Sequence, residues 1–281
     1  MLGKAHIIAH DFVGDPLYKI RRLILRTEVA REAQPGQFVH VQVAKGMDPL
    51  LRRPISIADI QREAQEITLL YRIKGKGTEI LSEAKVGEEL SLMGPLGHGF
   101  TLPARGELIL VAGGIGVFPL LPLAKAAQEK NLDVSLYWGG ENKGFFTSSG
   151  LDLWQEARIP VFLSSMDGSI GEKGNVLDLL KKQVGSRLNH GEGATQAAQS
   201  EVLSVAVCGP QVMTQVVSDY FLQKGAAVEV SLEERMGCAV GACLGCVCTL
   251  KDKVSGRIYR GKVCKDGPVF KGEEVLWDYE G

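Results

Sequence analysis

The sequence predicts a multidomain β plus α/β chain: an antiparallel β-barrel, a parallel-sheet α/β domain and a small C-terminal cysteine module. Three observations predict it. Residues 1–102 carry short alternating apolar segments separated by turn signals. Residues 103–230 alternate apolar strands with helical stretches, the pattern of a parallel sheet. Residues 231–281 hold five of the six cysteines.

Length and composition agree with this division. A chain of 281 residues suits two domains plus an appendage, and 45% apolar residues supply a sizeable core. The net charge of −1 gives no reason to expect a nucleic-acid or membrane-surface partner. No apolar run reaches the ~18 residues of a membrane span. The opening MLGKAHIIAHDFVGD, with His10 and Asp11 after a short apolar stretch, offers no small-residue cleavage site. The expectation is therefore a cytoplasmic protein. Thirty-four glycines, about 12% against a usual ~7%, suggest backbone brought close to ligands, although turns absorb many of them.

In the first domain KIRRLILRT, QFVHVQV, EITLLYRI and EELSLMG read as strands, punctuated by Gln34-Pro35-Gly36, Asp48-Pro49 and Gly87. The run Arg52-Arg53-Pro54-Ile55-Ser56-Ile57 places a proline in a strand. Such a proline needs an edge or a bulge, where a ligand can approach the backbone. Arg53 can pair with a phosphate through its planar fork, and Ser56 can donate to a heteroaromatic ring. An edge strand with solvated arginines accounts for the same spacing. Tyr71-Arg72 ends the next strand, and Lys74-Gly75-Lys76-Gly77-Thr78 leads into a helix over TEILSEA. Thr78 suits its N-cap, and amides beside the glycines suit an anion.

The second domain opens with ELILVAGG as a strand and VFPLLPLAKAAQEK as a helix. DVSLYWGG, PVFLSS and VLSVAVCGP follow as strands, with helices near 174–184 and 210–224. Gly113, Gly114 and Gly116 lie where a strand meets a helix, so that amides and the helix dipole can face a pyrophosphate. A tight turn with no ligand gives the same pattern, and the spacing is not G-x-G-x-x-G. Cys208-Gly209-Pro210 ends a later strand at the carboxyl edge, where open α/β sheets bind ligands. Cys208 either borders a nicotinamide ring there or is a core residue. The polar stretch GSRLNHGEGATQAAQSE, residues 185–201, reads as a surface excursion without chemistry.

The cysteines carry the most information. In a chain with no secretion signal, clustered cysteines favour a metal site over disulfides. Cys238-x4-Cys243-x2-Cys246, with Cys264 seventeen residues further on, is the plant-type spacing for a [2Fe–2S] cluster. A short loop must curl so that its thiolates converge and its amides point at sulfur. Gly241, Ala242 and Gly245 between the ligands suit that. Structural zinc also takes four cysteines but usually pairs two short knuckles, and Cys264 has no such neighbour. Cys248 is expected to point away from Cys246 if that segment is extended; otherwise it can stand in for Cys246 or Cys264.

These motifs in this order resemble the ferredoxin reductase superfamily. SLEERMGCAVGACLGCVC followed by VCKDGPVF is similar to the electron-transfer subunits of dihydroorotate dehydrogenase B. The resemblance implies an FAD in the barrel, an NAD(H) co-substrate site in the α/β domain and a [2Fe–2S] cluster between the FAD and a partner. It places Arg53, Pro54, Ile55, Ser56, Leu70, Tyr71 and Arg72 along the flavin, and Gly77 and Thr78 at its pyrophosphate. It makes Cys238, Cys243, Cys246 and Cys264 the iron ligands. The implied partner is an FMN-containing dihydroorotate dehydrogenase catalytic subunit of pyrimidine biosynthesis, in a heterotetramer of two of each. Electrons would run from dihydroorotate through the cluster and FAD to NAD+, with no acid–base catalyst in this chain. Two alternatives stand beside it: a flavin subunit linking NADPH to ferredoxin or sulfur compounds, and an iron–sulfur redox-sensing module. Lys143 is the one cation found after the YWGG strand, which leans towards NAD over its 2′-phosphorylated form.

Overall fold

A computed structural model of the chain describes residues 2–44, 46, 48–185 and 203–277. Six strands, β1 (Leu2–Phe12), β2 (Ile20–Arg26), β3 (Phe38–Val41), β4 (Arg53–Gln61), β5 (Glu66–Arg72) and β6 (Glu89–Leu96), close an antiparallel barrel in the order β1-β2-β5-β4-β3-β6. Alternation explains the closure. Leu23 and Leu25, Val39 and Val41, Ile55 and Ile57, and Ile67 and Leu69 all face one buried core. Each such side chain contributes roughly 1.5–3 kcal/mol by leaving water.

The second sheet takes β7 (Glu107–Gly113), β8 (Asp133–Gly140), β9 (Val161–Ser165), β10 (Glu172–Lys173), β11 (Ser204–Cys208) and β12 (Ala227–Ser231) in parallel. Its order, β10-β9-β8-β7-β11-β12, reverses direction between β7 and β11. That reversal is where the loops after neighbouring strands part and leave a crevice. The helix expected over VFPLLPLAKAAQEK is α-helical only at Leu121–Glu129; Gly114–Leu120 is a 3-10 turn. Pro119 and Pro122 lack the N–H groups that regular α-helical bonding would need there.

The cysteine-bearing segment joins this sheet. It forms the hairpin β13 (Val247–Lys251) and β14 (Ile258–Lys262), and then β15 (Val269–Lys271) pairs antiparallel with β12. Ala239, Cys246, Leu250 and Cys264 share a core cluster with Val230 and Phe38. The barrel touches the segment directly too: His98 N donates to Gly267 O at 2.6 Å. A Cβ on Gly97, whose φ is +73°, would lie 2.3 Å from that same oxygen. Barrel and α/β sheet are clasped by Tyr18 Oη donating to Asn142 Oδ1 (2.7 Å), Asp15 N to Ser148 Oγ (2.9 Å) and the Lys125–Asp59 ion pair (2.8 Å). Of the polar excursion at 185–201, all but Gly185 lies outside the described residues. Among the described residues no helix is long and apolar enough to cross a membrane.

His40 on β3 is buried, and neither ring nitrogen has a hydrogen-bond partner. Burial is the main cause that lowers its pKa from 6.5 to about 4. The folded chain therefore binds fewer protons than the unfolded chain between those values, and stability falls as pH drops from about 6.5 to about 4. A His40→Leu variant removes both the unsatisfied nitrogens and this pH dependence. Its melting midpoint should match or exceed wild type at pH 8, and the margin should widen at pH 5. A margin that stays constant across that range would contradict the assignment.

Candidate functional site

The barrel opens at one corner. β4 and β5 pair at Ile57–Leu69, Asp59–Thr68 and onward, with a bulge between Ile57 and Asp59. Past Ile57, Arg53–Ser56 pair with β3 alone, and Leu70–Arg72 pair with β2 alone. β4 is an inner strand of the barrel, yet over this stretch it has the free edge, next to a bulge, that its proline called for. Pro54, with no N–H to offer, sits there at no cost to the ladder. Two strand edges with unpaired backbone groups face each other across the gap and need polar partners.

This gap forms one wall of a cleft of about 320 Å³, within the range of small-molecule sites. Arg53, Pro54, Ile55, Ser56, Leu70, Tyr71, Arg72 and Thr78 all border it, as does Lys74. Arg52 and Arg53 divide their work. Arg52 is spent on structure, donating to Ser91 O (2.9 Å) and Ser91 Oγ (2.8 Å) of β6. Arg53 lies against Gly77, where a Cβ would fall 2.1 Å from its Nε, so the bare backbone of Gly77 is what admits the guanidinium. Thr78 is not the N-cap. The helix spans Lys76–Ser82 with Gly75 as its cap, and Thr78 Oγ1 reaches back to accept from Lys74 N (2.9 Å) and Gly75 N (3.2 Å). Tyr71 borders the cleft, yet its hydroxyl turns into the barrel to meet His10.

The opposite wall is the carboxyl edge of the second sheet at its reversal point, with Ile115, Phe118, Pro119 and Cys208. Cys208 is a core residue, 2% exposed, and it also lines the cleft. Burial pushes its thiol well up, with the Glu233 carboxylate adding to the shift. Gly113, Gly114, Gly116 and Gly209 do not border this cleft. A Cβ on Gly116 would lie 2.4 Å from Cys208 O, and one on Gly113 would lie 2.4 Å from Met213 Sδ. These two glycines let the ends of β7 and β11 pack, which is reason enough for them. Gly114 faces open space with a φ of +57°.

The third wall comes from the segment before the cysteines, with Leu232, Glu233, Glu234 and Met236. Sequence motifs did not single these out; the acidic pair preceding Cys238 was the available signal. Glu233 is open to the cleft but crowded by protein. That crowding raises its carboxyl, and Lys74 opposes the shift. Cations at Arg53, Arg72 and Lys74 thus lie on the barrel side, and carboxylates lie on the cysteine side.

Beyond that wall the loop 238–246 curls through left-handed residues at Ala239 (φ +57°), Gly241 (φ +80°) and Leu244 (φ +56°). Only Gly241 of the small residues expected to permit the curl does so through its φ. The curl aims amides at sulfur: Val240 N, Ala242 N and Cys243 N approach Cys238 Sγ at 3.5, 3.3 and 3.4 Å, and Cys264 N approaches Cys246 Sγ at 3.4 Å. The N–H groups of Val240 and Cys243 lower the Cys238 thiol to about 6, favouring the thiolate that iron binds. Among the described residues no three candidate ligands close on a single point.

One expectation about Cys248 needs correcting. Positions i and i+2 of an extended chain share a face, so strand alternation does not turn Cys248 away from Cys246. Its Sγ instead points to Gly261 O at 3.7 Å across the β13–β14 hairpin, and burial pushes its thiol up to about 12. Around the loop, Leu244 is 63% exposed and Val240 51%, while Val247 is half-buried.

Residues 233–276 match the family described as the iron-sulfur cluster binding domain of dihydroorotate dehydrogenase B. The "Dihydroorotate dehydrogenase B (NAD(+)), electron transfer subunit" of Desulforamulus reducens is 41% identical over 252 residues, 89% of this chain and 90% of its own length. The protein of the same name from Geobacillus thermodenitrificans is 40% identical over 285 residues, covering 98% of this chain and all of the relative. Among solved structures, the NADH-dependent reduced ferredoxin-NADP oxidoreductase aligns over 98% of this chain and 90% of its own, with a TM-score of 0.78 and 28% identity. The ferredoxin reductase of carbazole 1,9a-dioxygenase shares the fold over 80% of this chain and 66% of its own, with a TM-score of 0.62 and 19% identity.

The amides aimed at Cys238 and Cys246 and the turn of Cys248 towards Gly261 fit the expectation of Cys238, Cys243, Cys246 and Cys264 as ligands and Cys248 as a bystander. Cys248→Ser should retain iron and the visible absorption of wild type, whereas Cys264→Ser should lose most of both. Iron and sulfide analysis of the two purified variants checks this, and the opposite pattern would exchange their roles.

Proposed function

Because the chain belongs to the electron transfer subunits of dihydroorotate dehydrogenase B, we propose that it channels electrons from a partner FMN dihydroorotate dehydrogenase to NAD+. Cys238, Cys243, Cys246 and Cys264 hold the [2Fe–2S] cluster, and the three-walled cleft holds FAD. The observation that carries this reading is the cleft itself, where the free edges of β4 and β5, the reversal point of the parallel sheet and the cysteine segment meet. When bound, the flavin exchanges single electrons with the cluster and electron pairs with the nicotinamide.

The chain's own residues bind and orient. Arg53, Arg72 and Lys74, with the Gly77–Thr78 turn, offset the charge of the flavin diphosphate. The unpaired edges at Arg53–Ser56 and Leu70–Arg72 offer backbone donors and acceptors to the ring. Cys208, kept as a neutral thiol by burial, borders the side from which a nicotinamide enters. Amides on Cys238 and Cys246 stabilise the cluster's sulfur charge and tune its potential.

Preference for NAD gains a residue that sequence spacing did not reveal. The loop after β9 is clipped to the loop after β8: Lys143 N donates to Ser169 Oγ (2.8 Å), and that hydroxyl donates to Asp167 Oδ1 (2.7 Å). Ser169 holds the exposed Asp167 carboxyl below its usual range. A carboxylate beside Lys143 accepts from a ribose hydroxyl and repels a 2′-phosphate. The exposed Val240 and Leu244 beside the cluster form the docking face for the FMN subunit, in an assembly of two of each. Cysteines kept as cluster ligands rather than disulfides suit a reducing cytoplasm.

The purified chain should contain two irons and one FAD, and NADH should bleach it far better than NADPH. Mixed with the FMN subunit, it should support NAD+ reduction by dihydroorotate. Bleaching by NADPH in preference to NADH would move the chain towards the ferredoxin-linked relatives. Zinc in place of iron would remove the cluster from the scheme.

A further inference from the structure

Behind the flavin wall, inside the barrel, lies a polar chain that the electron relay does not use. His10 of β1 places Nδ1 2.8 Å from Ala84 O and Nε2 2.8 Å from Tyr71 Oη. A carbonyl only accepts, so Nδ1 carries the proton. Burial lowers the ring's pKa and keeps it neutral, which leaves Nε2 as an acceptor for the Tyr71 hydroxyl. Arg21 of β2 is the cross-strand neighbour of Tyr71, and its Nη2 donates to Ser82 O (3.1 Å) and His10 O (3.4 Å). The direction of the chain is fixed from its carbonyl end: His10 donates to Ala84, and Tyr71 donates to His10.

The chain has its consequence at β5. Past Leu69 that strand has lost β4 as a neighbour and keeps only β2. Leu70–Arg72 is the stretch whose free edge forms one wall of the cleft. Its inward side chain is Tyr71, 4% exposed, and its hydroxyl is fastened by His10. We propose that His10 is a positioning residue of the flavin cleft, holding the free-edged stretch Leu70–Arg72 in place through the Tyr71 hydroxyl. His10 touches no ligand; it sets where the backbone groups of the wall stand. The inference rests on the cleft being the FAD site.

Four variants of the full chain test it, each stripped of flavin and titrated with FAD. The readouts are the dissociation constant, the visible circular dichroism of the bound flavin and the melting midpoint of the flavin-free form. His10→Phe keeps the ring volume and loses both bonds; Tyr71→Phe loses only the hydroxyl. His10→Gln brings its amide to the Nε2 position facing Tyr71, and His10→Asn brings its amide to the Nδ1 position facing Ala84. His10→Phe and Tyr71→Phe should bind FAD about fivefold more weakly and alter the flavin dichroism. His10→Gln should restore most of the affinity, and His10→Asn should not. Wild-type affinity and dichroism in His10→Phe would overturn the inference. So would equal rescue by Asn and Gln, or a loss that follows the melting midpoint with unchanged dichroism, since those mark a general structural role. Failure of the wild-type chain to take up FAD would overturn the flavin reading and this inference together, which distinguishes the two failures.

Discussion

The site depends on a pairing that stops. β4 and β5 run together up to Ile57–Leu69 and then part, so that two lengths of strand keep one neighbour each. A backbone edge left unpaired inside a protein is costly unless something polar fills it. Pro54 removes one donor from the gap, and the bulge between Ile57 and Asp59 turns the strand away. The barrel remains closed elsewhere and supplies rigidity, because Leu23, Val39, Ile55 and Ile67 pack its interior from four different strands.

The other two walls are brought to that gap by different means. Hydrogen bonds and an ion pair clasp the α/β sheet to the barrel, with Tyr18 on Asn142 and Lys125 on Asp59. The cysteine segment is tied more deeply: β15 extends the parallel sheet beyond β12, and Cys246 and Cys264 lie in the same core cluster as Val230 and Phe38. A cluster-bearing loop rooted in this way cannot swing independently of the cleft. Fixed separation suits electron transfer, where the chain's task is to hold centres at constant distance in a constant field.

Charge is sorted across the cleft in the same economical manner. Arg53, Arg72 and Lys74 gather where a diphosphate is expected, Glu233 and Glu234 stand on the cysteine side, and Cys208 stays neutral between them. Arg52 and Arg53 show why neighbours in sequence need separate readings. One guanidinium is consumed by Ser91 in the barrel wall, and the other donates to Leu51 O and lies against Gly77.

Period-2 alternation over residues 1–102, the strand–helix alternation after it and the spacing Cys238-x4-Cys243-x2-Cys246 were legible without coordinates, because each is a local pattern imposed by backbone geometry. Arg53–Ser56 drew notice through a proline in a strand, with solvated arginines on an edge as the competing reading, and Leu70–Arg72 entered only through the family resemblance. What the sequence could not decide were the long-range coincidences. Gly113 and Gly116 read as a phosphate turn, yet the crowding that demands them comes from residues almost a hundred positions later. Thr78 read as a cap, but the turn starts three residues before it. Cys248 stood apart through Gly261 on the neighbouring strand, not through its own spacing. Glu233, Asp167 and His10 gained their roles only when distant strand ends met. The sequence by itself determined which segments form strands, helices and the cysteine loop, since those depend on neighbours in the chain. The tertiary structure alone decided which of them share a cleft, because contacts between residues far apart follow from packing that no local pattern records.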